Sequence, residues 1–302
     1  MTPAAVIAIR LVLGLALSAA IGWIACRRGL LTRGGAAGAV VTGTLTLGLG
    51  GLMAACLLIA FFASSSALSR FRAGRKAGVA EKFDKTGRRD LGQALANGGA
   101  AAAASCLSGL ALLGGDAALS AVWIGALAGA LASANADTWA TELGVLSQRP
   151  PRLITRPSLV VEPGTSGGVT LIGLAAAAAG AAFIGLAAAG LWALAETGLG
   201  DPSWAALWVN LPRPPDGFGA TVLGAALMAG MAGALCDSLL GAALQGIYIS
   251  RRRGIETERP READGQPNRL ARGWRWMTND WVNFISSMAG AGAGAFIVGL
   301  SH

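Results

Sequence analysis

Ser133-Ala-Asn-Ala-Asp-Thr-Trp-Ala-Thr-Glu-Leu-Gly144 closes a long apolar run that begins near Ala117, and it sets Asp137 and Glu142 where a lipid-facing helix should have no ionisable group. A carboxylate at the centre of a membrane helix costs about 3 kcal/mol on insertion scales, so such a residue marks a functional site by default. Three other segments carry the same anomaly: Glu162-Pro-Gly-Thr-Ser-Gly-Gly168, Cys236-Asp-Ser-Leu-Leu-Gly241 and Asn279-Asp-Trp-Val-Asn283. The fold depends on whether the runs around these segments cross a membrane, and the function on whether the four meet.

The chain is 54% hydrophobic and only 13% charged, with a mean hydropathy of +0.56. A soluble domain carries about 25% charged residues, so the composition predicts an all-α polytopic membrane protein. The 45 glycines suit helices that approach closely in lipid. Gly34-x-x-x-Gly38 and Gly125-x-x-x-Gly129 have the matching spacing, which this glycine content also produces by chance. The net charge of +8 does not point to nucleic acid, because the basic residues fall in the loops between apolar runs. Cys26, Cys56, Cys106 and Cys236 are far apart and the one histidine is His302, so neither a disulfide framework nor a zinc site is indicated. The first apolar run has no basic region before it and reads as a retained helix rather than a signal peptide.

Runs of spanning length, about 20 residues or more, lie at 3–25, 36–63, 91–113, 117–144, 165–195, 218–247 and 281–300. That makes about seven transmembrane helices in one integral membrane domain over 1–302. Pro202–Val209, with Trp204 and Trp208, is too short to span and reads as interfacial. With seven spans, loops 64–90, 145–164 and 248–280 share a side and hold 19 Lys and Arg, against four in loops 26–35, 114–116 and 196–217. The positive-inside rule then makes the first set cytoplasmic and places the N-terminus inside. Asn97, Asp137, the turn at 164–168, Asp237 and Asn279–Asn283 all fall toward that side.

The chemistry these segments allow can be taken in turn. Asp137 and Thr141, like Thr138 and Glu142, share helix faces at i, i+4. Two carboxylates a turn or two deep suit a divalent cation, and Mg²⁺ favours few carboxylates completed by substrate phosphates. A plain helix–helix hydrogen bond is the competing account of Asp137. Gly164, Thr165, Ser166, Gly167 and Gly168 form a turn of small residues leading into a helix, an arrangement that binds anions through backbone N–H groups. It lacks the P-loop lysine, and an ordinary helix cap explains it as well. Asp237, Gly241 and Gln245 recur at i, i+4, i+8, and Asn279, Asn283, Ser286 and Ser287 form another stripe. Arginines and lysines of loops 64–90 and 248–280 supply the opposite charge. Such clusters serve topology and anionic lipid head groups, but an acidic, metal-suited centre ringed by cations is also what phosphoryl transfer requires.

The series Arg89-Asp-x-x-Gln93…Asn97-Gly-Gly99, Ala136-Asp-Thr-Trp-Ala-Thr-Glu-Leu-Gly144, Pro151-Arg-Leu-Ile-Thr155, Pro163-Gly-Thr-Ser-Gly-Gly-Val-Thr170, Asp237-Ser-Leu-Leu-Gly-Ala-Ala-Leu-Gln245 and Asn279-Asp-x-Val-Asn283 resembles the DUF92, transmembrane protein 19-like family, over about residues 64–290. That family includes the plant phytyl-phosphate kinase of vitamin E synthesis. A more distant likeness is to CTP-dependent polyprenol kinases such as dolichol and phytol kinases. The resemblance implies that Asp137 and Asp237 handle Mg²⁺-nucleotide with help from Glu142, and that the 164–168 turn cradles phosphate. It further implies that Asn97, Thr138, Ser238, Gln245, Asn279, Asn283 and Arg89 bind substrate or nucleotide. Relatives usually carry two adjacent asparagines where this chain has Asn279-Asp280.

The resulting expectation is a kinase that uses Mg²⁺ and CTP or another nucleoside triphosphate. Its substrate would be an isoprenoid monophosphate such as phytyl or geranylgeranyl phosphate, converted to the diphosphate. The protein would sit in the bacterial plasma membrane, in contact with membrane lipids and no nucleic acid, its site facing the cytoplasm. The rival is a transporter or lipid-phosphate translocator using the same intramembrane carboxylates. The polar residues gather at one face rather than the midplane, which weighs against it.

Overall fold

The structure, a computed structural model, describes residues 2–72, 74, 87–198, 210 and 217–301. Arg75, Lys76, Lys82 and Lys85 of the first basic loop, and the aromatic segment with Trp204 and Trp208, lie outside the described residues. Eight long helices are present among the described residues: α1 Pro3–Arg27, α2 Arg33–Gly50, α3 Leu52–Arg70, α4 Leu91–Leu113, α5 Ala117–Gly144, α6 Leu171–Gly198, α7 Phe218–Ala243 and α8 Asn279–Gly299. All but α2 are long and apolar enough to cross a membrane, in keeping with the all-α polytopic reading and its seven apolar spans.

Local chemistry sets the helix starts. Thr2 and Thr32 accept N-cap hydrogen bonds from the amides of Ala5 and Gly35, with Pro3 in the first helical position. Asp116 caps α5 through the Leu119 amide, and Thr170 caps α6 through that of Gly173 at 2.9 Å. At α4, Asp90 and Gln93 form a reciprocal capping box. The Arg89-Asp-x-x-Gln motif is thus in part a helix-start device.

The expected span 36–63 is instead two antiparallel helices. Gly51, at φ 89° and ψ 178°, reverses the chain between α2 and α3 in a conformation reserved for glycine. The eighteen residues of α2 rise about 27 Å, a full crossing, while its buried Gly35, Gly38, Thr42, Thr46 and Gly48 hold its hydropathy down. Those small residues let α1 and α4 close on it: Gly14 lies against Thr44, and Gly109 against Leu49.

The extra crossing changes the topology. Arg70 Nη2 donates to the carbonyl of Arg28 at 2.9 Å, and Leu30–Thr32 exchanges backbone hydrogen bonds with Arg89. The 26–35 loop therefore joins loops 64–90, 145–164 and 248–280 at one end of the bundle, not the opposite end. By sequence, the connections at this end and the helix turns adjoining them hold 22 of the 24 basic residues; Arg10 lies within α1, and Arg213 lies outside the described residues. Both termini sit at the far end, where Leu11 meets Gly48 and Val298 meets Gly125. The expectation that the N-terminus shares the side of the basic loops fails for this reason.

Helix α5 is the axis, packed on α3, α4, α6, α7 and α8, with Leu127, Ala128, Leu131 and Ala132 fully or almost fully buried. Its Gly125 and Gly129 lie against the backbone of Gly294 and Gly290 on α8, so the spacing that chance alone could produce is a working close contact. At the far end Arg10 Nη1 donates to Asn210 Oδ1 at 2.6 Å, and Asn210 Nδ2 donates to Ser108 Oγ at 3.0 Å and to the carbonyl of Leu49. Arg10 Nη1, both side-chain atoms of Asn210 and Ser108 Oγ thereby find partners inside the bundle.

Two small antiparallel sheets lie at the basic end. Between α5 and α6, β1 Arg152–Leu153 is flanked by β2 Arg156–Val160 and β3 Gly168–Val169; between α7 and α8, β4 Ile247–Ile249 is flanked by β5 Glu256–Thr257 and β6 Arg269–Arg272. Two of the basic connections, 145–170 and 244–278, thus carry folded structure of their own at the helix ends.

Candidate functional site

A cavity of about 670 Å³ opens at the basic end, lined by α3 to α8 and by both β-structured loops. Its position follows from how α5 is pinned. Asn135, wholly buried, donates through Nδ2 to the Gly180 carbonyl at 2.8 Å and accepts at Oδ1 from Ser64 Oγ at 3.0 Å. Ser133 Oγ donates to the Ser286 carbonyl at 3.0 Å, and the Trp139 ring stacks against Phe183 at 5.5 Å. With Asn135 bound to α3 and α6, a residue two positions on is turned about 200° around the helix, toward α7. Asp137 occupies that place.

There it faces Asp237 across the same cavity, and the two carboxyl groups are close enough to act on each other directly. Ser286 Oγ of α8 donates to Asp237 Oδ2 at 3.1 Å. Two carboxylates in contact cannot both be ionised unless a cation or a shared proton lies between them. Among the described residues no group of three or more His, Cys, Asp or Glu side chains is arranged to hold a metal. A cation at this pair would therefore need further oxygen ligands from a substrate, a donor set that fits Mg²⁺ with phosphates.

Around this pair the cavity wall takes in Arg89, Asn97, Thr138, Glu142, Gly164 to Gly168, Ser238, Asn279 and Asn283. Nearly all the residues singled out in the sequence are brought together. Ser69 Oγ donates to Glu142 Oε1 at 2.6 Å. Asn97 Nδ2 donates to the Gln93 carbonyl and Thr138 Oγ1 to that of Ala134. The Arg89 guanidinium lies over the rings of Phe61 and Phe62, 5.8 and 5.4 Å from their centres, and its buried Nη1 has no hydrogen-bond partner among the described residues. Burial pushes the Arg89 pKa down, and the charge of Glu142 opposes that shift.

Two expectations need correction. The 164–168 turn does not open α6 directly: β3 and Thr170 intervene, and the helix begins at Leu171. Its glycines serve the turn itself, Gly164 and Gly167 having φ of 79° and 81°, with Gly167 seated on Ala242. Gln245 is not on the helical stripe of Asp237, because α7 ends at Ala243. It is buried behind the wall, where it accepts from Ser166 Oγ at 2.5 Å and donates to Glu258 Oε1 at 2.9 Å.

That bond exposes a residue the sequence reading missed. Glu258 lines the cavity close enough to Asp237 to act on it electrostatically. Nothing in the arginine-rich loop 248–280 distinguishes it from Glu256 or Glu262, and only the fold selects it. Arg272 was equally hidden. It donates to the Gly241 and Ala242 carbonyls at 3.1 and 2.7 Å, where a cation complements the end of α7. It also reaches the Ser166 carbonyl at 3.1 Å, so it ties the turn to the helix. Further out, Ser250 Oγ donates to Glu262 at 2.6 Å and holds that carboxyl below its ordinary range.

Comparison with known proteins agrees with this architecture. The family model described as "Integral membrane protein DUF92" matches residues 16–291, reaching into α1 well before the 64–290 core. Protein PGR of Arabidopsis thaliana is 31% identical over 239 residues, 76% of each chain. An uncharacterized membrane protein of Methanocaldococcus jannaschii is 37% identical over 147 residues, 49% of this chain and 57% of the relative. No solved structure matches. With the model spanning nearly the whole chain, this protein is a member of the DUF92 family of integral membrane proteins.

Proposed function

We propose that this chain is a kinase of isoprenoid monophosphates such as phytyl or geranylgeranyl phosphate, using CTP or another nucleoside triphosphate, at the cytoplasmic face of a bacterial plasma membrane. The observation that carries the proposal is the approach of Asp137 to Asp237 in a cavity whose wall also holds Arg89 and the 164–168 turn. The resemblance to a family with a phytyl-phosphate kinase supports the choice of substrate. Loops with 22 basic residues at the cavity end support the cytoplasmic orientation.

In this reading Asp137 and Asp237 hold Mg²⁺, which supplies charge neutralisation at phosphate oxygens. Arg89, whose Nη1 lacks a hydrogen-bond partner among the described residues, binds a phosphate oxygen. An oxygen of the acceptor monophosphate attacks the terminal phosphorus, and the bond to the bridging oxygen breaks, leaving the nucleoside diphosphate. A phosphate monoester is largely dianionic near pH 7, its second pKa being about 6. No proton has to be removed, and no histidine is needed in a chain whose one histidine is His302. Below the cavity α5, α6 and α7 close on each other, Gly230 lying against Ala181 and Ala132. That closed floor favours an enzyme over a translocator.

The test is an assay of the purified chain with geranylgeranyl or phytyl monophosphate, Mg²⁺ and each nucleoside triphosphate, reading lipid diphosphate by mass. Product with one nucleotide, lost in Asp137→Asn, is expected. Folded protein that makes no product with any combination overturns the assignment.

A further inference from the structure

Helices α6 and α7 touch along most of their length and then part. Toward the far end Trp192 stacks on Phe218 at 4.6 Å, and Gly185 and Gly230 let the backbones close on Leu223 and Ala181. A cluster of Ala136, Ala177, Ala181 and Ala234 ends this contact. Above it both helices turn side chains into the cavity: Leu174 from α6, and Leu235 and Ser238 from α7. At the roof the turn ahead of α6 reaches the end of α7, where Gly167 sits on Ala242 and Arg272 ties Ser166 to α7. Between the floor at Ala234 and the roof at Gly241, α7 rises about 10 Å.

Leu235 shows where this gap leads. It lies on the outward stripe Met228, Ala232, Leu235, Leu239 of α7, all exposed, and it also lines the cavity. One side chain therefore borders both the bundle's apolar exterior and the chamber of Asp137 and Asp237. The chamber, at about 670 Å³, is of the size that encloses one drug-sized ligand. With a nucleotide beside the head group, as the kinase reading requires, a chamber of this size leaves a long hydrocarbon chain to lie outside it.

We infer that the gap between α6 and α7 is a lateral window through which the hydrocarbon chain of a single-chain lipid phosphate lies out in the bilayer while its phosphate rests inside. The inference rests on the kinase reading for the identity of the head group. It adds which wall the substrate crosses, with Leu174 and Leu235 as rim and Ala177 and Ala234 as floor. Alanines at the floor leave width for one chain, and both rim residues offer it apolar contact.

The test uses the full chain in nanodiscs, with the photoreactive residue p-benzoylphenylalanine placed at Leu235. A second protein carries it at Met228, which faces outward on the same stripe but does not line the cavity. Each is irradiated with geranylgeranyl monophosphate and its intact mass is read. The expected result is an adduct at position 235 well above that at 228, lowered by excess farnesyl monophosphate. Equal labelling at both positions, or none at 235, overturns the window. Labelling does not depend on turnover, so a protein labelled at 235 that makes no diphosphate keeps the window and loses the kinase. One that makes diphosphate yet labels no better at 235 loses the window alone. A second measurement uses Leu235→Trp. Its KM should rise about tenfold for geranylgeranyl monophosphate and stay within about twofold for water-soluble dimethylallyl monophosphate, the pattern of lost chain binding with the head-group chemistry intact. An equal rise for both substrates counts against the window.

Discussion

Asp137 and Asp237 sit on different helices, 100 positions apart in the chain, and their carboxyl groups come together in one cavity. Asparagine keeps the shape and can keep a hydrogen bond but cannot carry the charge that a phosphate-bound cation requires. Asp137→Asn and Asp237→Asn should each lower diphosphate formation by about 10²-fold or more, the scale of losing one group that stabilises transition-state charge. Membrane insertion and elution volume should match the wild type; turnover near wild type in both variants would refute the site. Arg89 is probed by a gentler change. Lysine keeps the charge but loses the planar fork that reaches a phosphate while stacked on Phe61 and Phe62. Arg89→Lys should raise the nucleotide or lipid-phosphate KM by about tenfold, a loss of about 1.4 kcal/mol of binding. Unchanged steady-state constants would remove Arg89 from the binding surface.

The elements show what could be read from the chain and what could not. The clustering of Asp137, Asp237, Asn97 and Asn283 was legible, because a polar residue in an apolar run is conspicuous and its depth follows from the nearest loop. The division of 36–63 was not. Leu47 to Leu58 is apolar without a proline or a charge, and Gly51 is one of 45 glycines; only its φ of 89° marks the reversal. Gln245 was misplaced because Ala243-Leu-Gln245 offers no helix stop, and the end of α7 is set by Arg272 arriving from β6. Glu258 went unseen because its role comes from a bond with Gln245 across the fold. The division of α2 from α3 has a direct test. Gly51→Ala puts a side chain where φ and ψ admit only glycine, and should cost about 1–3 kcal/mol, read as a lowered midpoint of thermal unfolding in detergent. Gly224→Ala, at a glycine with open space around it, is the matched control and should leave the midpoint unchanged or slightly raised. Equal midpoints for the two variants would mean that Gly51 does not hold the reversal.

At the scale of the whole molecule, the eight helices, each running between the two ends of the bundle, put all the strongly basic connections at one end and both termini at the other. On the proposed orientation the cavity faces the cytoplasm and both termini face the other side. Single cysteines at Thr2 and Ser301, in a background without the native four, should react with a membrane-impermeant maleimide in intact cells. One at Ser147 should react only after permeabilisation. Labelling of Thr2 and Ser301 on opposite sides would restore an odd number of crossings. The same arrangement bears on how the chain is made. On the far side α2 passes to α3 through Gly51 alone, and α4 to α5 through Gly114-Gly115-Asp116. Between Pro3 and Gly144, then, the only carboxylate that has to be carried across the bilayer in a connection is Asp116. Helices linked this closely can leave the translocation machinery as ready-made hairpins, each anchored behind by arginines that stay on the ribosome's side. Biogenesis of the first half of this protein therefore demands almost no export of polar chain.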